Sequence, residues 1–223
     1  MIYLLPFLAV LLSFVLVYLT RPKRKEHFKL LLAFSGAFLL ALTVFELLPQ
    51  VYTGEGPKQL GVWIMVGILF QIFLEFFSKG AEHGHVHHAT ESTIFPWMLF
   101  LSLSVHAVLE GVPIHGNESI LYGILIHKVP IAIILSIFLL ASKLSRAKAF
   151  LFMLMFSVMT PLGTYLSNEI PWLYQNSQIL NAMVIGIFLH ISTVILFESS
   201  EGHKFNLHKL VVIVLGIVIA YFM

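Results

Sequence analysis

Residues 94–140 read IFPWMLFLSLSVHAVLEGVPIHGNESILYGILIHKVPIAIILSIFLL. Two apolar runs, Ile94–His115 and Ser119–Leu140, are divided by a short polar turn around Asn117. Each run is long enough, as a helix rising about 1.5 Å per residue, to cross about 30 Å of hydrocarbon. Each also carries ionisable residues away from its ends: His106 and Glu110 in the first, His127 and Lys128 in the second. Burying such groups in lipid costs several kcal/mol on most estimates, so they mark a site rather than a surface. The stretch predicts an antiparallel pair of membrane-spanning helices with a polar centre.

The same pattern continues outward. Ile2–Thr20, Phe28–Leu48 and Leu60–Phe77 precede the pair, and Ala147–Leu166, Gln178–Phe197 and Leu210–Phe222 follow it. The runs are continuous, whereas barrel strands would alternate apolar and polar residues in segments of about ten. Of 223 residues, 59% are hydrophobic and 11% charged, and the mean hydropathy is +0.94. A soluble domain carries about 25% charged residues. The expected fold class is therefore an all-α integral membrane protein of eight transmembrane helices, one domain over residues 1–223, with no room for a soluble catalytic unit. Cysteine is absent, which excludes disulfides, iron–sulfur clusters and thiolate metal sites. The first run is expected to be a span and not a signal peptide, because its basic cluster follows it and no small-residue cleavage site appears.

The net charge of +2 is no sign of a nucleic-acid partner, because the basic residues carry topology instead. Arg21, Lys23, Arg24, Lys25, Lys29, Lys79, Lys143, Arg146, Lys148, Lys204 and Lys209, eleven of the thirteen, fall on odd-numbered connections or their flanks. Lys58 falls on the other side and Lys128 inside a span. The positive-inside rule then places the odd connections in the cytoplasm and both termini outside.

Gly36–Val44 reads GAFLLALTV and Gly186–Val194 reads GIFLHISTV, with five of nine positions identical. The second and seventh spans run in opposite directions, so the repeat is inverted: helices 1–3 and 6–8 around central helices 4–5. Inverted repeats around a midplane site are frequent in secondary transporters. Chance identity between two apolar helices is the alternative.

In the central pair, His106 and Glu110 are four residues apart and share a helical face. Glu110 and His127 lie at similar depth below the turn, so the two clusters can meet. Imidazole nitrogen and carboxylate oxygen without sulfur suit zinc, iron(II), manganese and related divalent ions. His106, Glu110 and His127 would supply three metal ligands. The alternative is a buried hydrogen-bonded pair that ties two helices together, and for Lys128 an ion pair with Glu110. Pro113 and Pro130 each remove a backbone donor, which is expected to free the carbonyls of Leu109 and Ile126. No serine- or cysteine-centred nucleophile motif and no HExxH is present, so an intramembrane enzyme has little support.

HAVLEG, His106–Gly111, resembles the fourth-helix signature of the ZIP (Zrt/Irt-like) divalent-metal transporters. HKVP, His127–Pro130, resembles their fifth-helix signature, commonly HKxPE in prokaryotic members and HExPHE in many eukaryotic ones. SGAFLLALTVFELLP, Ser35–Pro49, is similar to the family's second helix, and MTPLG, Met159–Gly163, to its sixth. The resemblance extends over essentially the whole chain and is of the prokaryotic type. It implies transport of a divalent metal cation, zinc foremost with iron or manganese as alternatives, towards the cytoplasm across a prokaryotic plasma membrane. It also implies a binuclear-type centre between helices four and five, with His106 and Glu110 as first-site ligands and His127 lining the same site. This chain departs from the pattern twice. Ile131 stands where a glutamate or histidine ligand is usual, and Ala107 where asparagine is frequent. Lys128 occupies a position where some members place a second-site carboxylate, so its ammonium can replace a second metal's charge. A member that binds or senses metal without transporting it is the alternative function.

Other polar residues are placed along a transport path. Glu46 near the outer end of span two either attracts cations or is an interfacial residue reaching water. His190 in span seven is either a ligand or a satisfied core histidine. Glu75 and Glu198 near cytoplasmic helix ends are either solvated or part of an exit. His83, His85, His87 and His88 in the cytoplasmic loop 78–93 are candidates to collect metal, or merely polar loop residues. The expected partners are the metal cation and the lipid bilayer, with a second copy of the chain, as a homodimer, a further candidate.

Overall fold

The computed structural model describes residues 1–22, 25–53, 56–78, 93–114, 118–198 and 207–223, with residues 25–28 and 198 described by their backbone only. All regular elements among the described residues are helical. They are α1 (Leu4–Thr20), α2 (Lys25–Leu42), α3 (Pro57–Ser78), α4 (Trp97–Gly111), α5 (Glu118–Ala141), α6 (Arg146–Glu169), α7 (Ser177–Glu198) and α8 (Leu207–Phe222). Each coincides with one of the apolar runs. The segments Lys29–Val51, Trp97–Ile114 and helices α3, α5, α6 and α7 are long and apolar enough to cross a membrane. The apolar helices α1 and α8 are shorter, with 17 and 16 residues.

Local chemistry shapes the helix ends. α1 stops at Arg21, which adopts the left-handed conformation (φ 44°, ψ 58°) and donates its N–H to the Val17 carbonyl. α2 does not simply continue towards Pro49. It widens into a π-helical turn, Thr43–Leu47, before a last α-turn, Leu48–Val51. The ring nitrogen of Pro49 has no hydrogen to donate, and a wider turn just before it absorbs the interruption. α4 ends differently from the expectation for Pro113. The Leu109 carbonyl is not released; it accepts the N–H of Val112 as the helix tightens into a 3₁₀ turn, Val112–Ile114. The carbonyls of Gly111 and Val112 are instead taken by α6 hydroxyls, Thr164 Oγ1 at 2.8 Å and Ser167 Oγ at 3.3 Å. α6 starts on Ser145, whose hydroxyl accepts the Lys148 N–H.

The helices pack into two cores. One joins α1, α4, α5 and α6 through Phe14, Leu103, Leu135, Phe152 and Phe156. The other joins α2, α3, α5 and α7 through Leu39, Ile64, Ile124, Ile185 and Phe188, and α8 closes on α2 through Phe38, Ala41 and Ala220. Lipid supplies no hydrophobic force between helices, so close backbone approach carries much of the association. Gly111 and Gly163 provide it between α4 and α6: a Cβ at either would overlap a carbonyl of the facing helix, Thr160 or Val108. Gly67 and Gly186 do the same between α3 and α7, against Met183 and Ile64.

The bundle has two chemically distinct ends. At one, Asn168 donates to the Tyr3 hydroxyl and Gln178 to the Val51 carbonyl. At the other, Arg146 lies over the Tyr18 ring, Lys148 donates to the Thr93 carbonyl and Lys209 to the Leu196 carbonyl. Arg21, Arg146, Lys148 and Lys209 make this second end basic.

Candidate metal centre

α5 is the wall shared by the two cores, and this decides what its polar residues meet. Ile131 belongs to the core with α2 and α7, while Ala132 belongs to the core with α4 and α6. Consecutive helical residues point about 100° apart, and residues one turn apart share a face. His127 therefore follows Ile131, and Lys128 follows Ala132.

On the α4 side, Lys128 Nζ lies 2.6 Å from Glu110 Oε2, with the two side chains 3% and 1% exposed. The ion pair given as the alternative reading of Lys128 is present. Its ammonium also lies 5.3 Å from the centre of the Phe156 ring on α6, a cation–π arrangement. The other carboxylate oxygen, Glu110 Oε1, is buried without a hydrogen bond, and so is the hydroxyl of Thr160. An acceptor left bare in a buried site costs about 1–3 kcal/mol. Glu110 is thus half satisfied by Lys128, and its second oxygen can accept a cation or a proton donor. His106, one turn before Glu110 on α4, is also buried.

On the other side, His127 Nδ1 lies 3.2 Å from Ser35 Oγ of α2. In the tautomer where Nδ1–H donates to Ser35, Nε2 presents a lone pair suited to a metal ion. Among the described residues no group of three His, Asp or Glu side chains stands close enough to hold one ion. The structure joins Glu110 to Lys128 and sets His127 on the adjoining face of α5.

Comparison with known proteins gives the family. The family model described as ZIP Zinc transporter matches residues 78–223, which include HAVLEG, HKVP and MTPLG. The chain belongs to the ZIP zinc transporter family. As a ZIP chain it is 29% identical over 150 residues to Protein zntD of Dictyostelium discoideum, covering 57% of this chain and 22% of that protein. It is 38% identical over 88 residues to Zinc transporter ZIP1 of Danio rerio, covering 37% of this chain and 29% of that protein. The matches therefore span less than a third of either relative's length. The family is one of transporters, not of enzymes.

The remaining polar residues of this ZIP chain fall in three places. His190 Nε2 lies 2.8 Å from Glu75 Oε2, tying α7 to α3, with the two side chains 15% and 25% exposed. Nothing in the sequence pairs these two residues. One turn before Glu75, Gln71 is fully buried, with neither amide atom hydrogen-bonded. Glu46 sits half-buried on the π-helical turn of α2. The side chain of Glu198 and the loop histidines His83, His85, His87 and His88 lie outside the described residues. Ser35, Phe156 and Thr160 were not read as site residues. A hydroxyl beside Gly36 and another before Pro161 were the available signals.

Proposed function

We propose that this chain carries divalent metal cations, zinc first and iron or manganese as alternatives, through a site between α4 and α5 towards the cytoplasm. The observation that carries this reading is the buried Glu110–Lys128 pair, with Glu110 Oε1 unbonded, in a member of a zinc transporter family. A divalent ion arriving at Glu110 displaces the Lys128 ammonium and takes His106 and His127 as nitrogen ligands at the seam between the two cores. Lys128 acts as a resident cation that neutralises the empty site and limits it to one metal. Metal reaches it past Glu46 and leaves along the side of α7 that carries His190, towards Glu198 and the loop histidines.

In this reading residues 1–223 form one transmembrane domain, and all eight helices cross a plasma membrane with the basic end in the cytoplasm and both termini outside. The inverted repeat has support in the packing. Gly36 and Gly186 are 150 residues apart, and the same shift relates Phe34 to Val184 and Gly216 to Val66. A Cβ on Gly216 would meet the Phe34 carbonyl at 2.8 Å, and the neighbouring Gly67 approaches the Met183 carbonyl on the symmetry-related side.

Zinc uptake into liposomes by the purified chain, beside Glu110→Ala, tests the assignment. Uptake that is lost in Glu110→Ala supports it; equal uptake by both removes Glu110 from the path. Ile131, a buried aliphatic residue in the core with α2 and α7, favours a second reading. With no oxygen ligand there, the chain would bind or sense metal without moving it, and saturable binding without flux would establish that.

A further inference from the structure

We propose that a groove between α1, α5 and α6, at the basic end of the bundle, is a binding site for one anionic phospholipid. The groove encloses about 290 Å³. Its floor is apolar, formed by Val17, Ile137, Leu140 and Leu144, and its rim carries Tyr18, Arg21 and Arg146. Among the described residues no carboxylate lines it.

The rim is built for an anion. Neither Arg21 nor Arg146 forms an ion pair among the described residues. The Arg146 guanidinium is held 5.8 Å from the centre of the Tyr18 ring, which orders it without neutralising it. Arg21 is the one non-glycine residue with positive φ among the described residues. A left-handed residue with a Cβ costs roughly 1–2 kcal/mol, which glycine would relieve. The chain nonetheless keeps an arginine there, where its side chain borders the groove. Arg146 also opens α6, a 24-residue helix whose first turn adds the positive end of its dipole. Guanidinium groups bind phosphate oxygens in bidentate fashion, and basic pockets between membrane helices suit lipid headgroups.

The floor selects a lipid over a free phosphate. Inorganic phosphate has no use for four aliphatic side chains beneath it, whereas an acyl chain leaving the glycerol does. The volume lies at the low end of the roughly 300–1,000 Å³ of small-molecule sites. It suits a phosphodiester headgroup and the first part of one chain, with the remainder in the bilayer. A zwitterionic headgroup would bring its own ammonium against two guanidinium groups, so a net negative headgroup is preferred.

The test reconstitutes the full chain in bilayers of equal phosphatidylglycerol and phosphatidylcholine, extracts it gently, and counts retained lipid by native mass spectrometry. One phosphatidylglycerol per chain is expected. Retention should fall at least tenfold in Arg21→Gln/Arg146→Gln and remain unchanged in Lys143→Gln, which removes a charge at the same end without lining the groove. Ala141→Trp keeps both arginines and fills the groove, so loss there separates the apolar floor from charge and from misfolding. Equal retention of both lipids, or retention of phosphatidylglycerol in both groove variants, overturns the proposal. Thermal protection by inorganic phosphate alone that matches phosphatidylglycerol would make this an anion site with no lipid specificity, and would also overturn it.

Discussion

Lys128 holds Glu110 at 2.6 Å in the seam between α4 and α5, and both charges are almost completely buried. A buried pair of this kind contributes little net stability, because desolvating the two ions offsets most of their attraction. Its effect is asymmetric: with both partners present the site is neutral, and with one removed a bare charge is left in low dielectric. In the function proposed above, Lys128 stands in for a mobile cation, and a metal arriving at Glu110 competes with it.

Lys128→Met should therefore make the fold depend on metal. Removing one partner of a buried pair costs about 3–5 kcal/mol, so the variant's unfolding temperature should drop without metal. Added zinc should restore most of the loss and should stabilise the variant more than the native chain. Thermal unfolding with and without zinc measures both. A variant that zinc leaves unchanged would place the ion elsewhere than Glu110.

Zinc binding should weaken as the solution becomes more acid. A protonated imidazole ring has no lone pair for a metal, so protons and zinc compete for each histidine ligand. Each histidine ligand that must first lose a proton costs up to roughly tenfold in apparent affinity per pH unit. Competition against a chelating dye at pH 7.5 and 5.5 reads the difference, which should disappear in large part in His106→Ala/His127→Ala. Tighter binding at the lower pH would contradict an imidazole-containing ligand set.

The contact of α4 with α6 should not tolerate a side chain at Gly163. A Cβ there overlaps the Val108 carbonyl, so the helices must separate, and overpacking of this sort costs about 1–3 kcal/mol or more. Gly163→Val should lower the unfolding temperature and loosen the ring–cation contact of Phe156 with Lys128. Gly61→Val is the control, because a Cβ at Gly61 meets nothing closer than the Tyr52 hydroxyl at 3.7 Å. Equal loss in both variants would mean that valine in a helix, rather than the close approach, is responsible.

The helices were legible in the sequence because lipid imposes their length and continuity residue by residue. The Glu110–Lys128 pair was legible for a related reason: two charges at one depth on neighbouring helices have few other ways to be neutralised. What depends on which helices touch was not. Nothing near His190 or Glu75 in the chain announces that they meet, since α7 and α3 are paired by Gly67 and Gly186, more than a hundred residues apart. The partner of His127 was hidden similarly, because Ser35 belongs to α2. The Leu109 carbonyl shows a different limit. A missing proline donor was visible, but the tightening of the turn that satisfies this carbonyl through Val112 is a local conformational choice.

Ile131→Glu asks whether the ion visits the face of α5 that carries His127. Ile131 lies one turn beyond His127 on that face and is 7% exposed, in the core with α2 and α7. A carboxylate there is buried without a ready partner, so the metal-free variant should unfold at a lower temperature than the native chain. With zinc present the added oxygen becomes a ligand, and the dissociation constant should fall at least tenfold, which titration with a competing dye can measure. Flux that appears only in this variant would show that the native chain lacks one ligand for transport and acts as a metal binder. If affinity does not rise, the ion stays on the Lys128 face. His127 is then a structural residue held by Ser35, and coordination rests on Glu110 and His106.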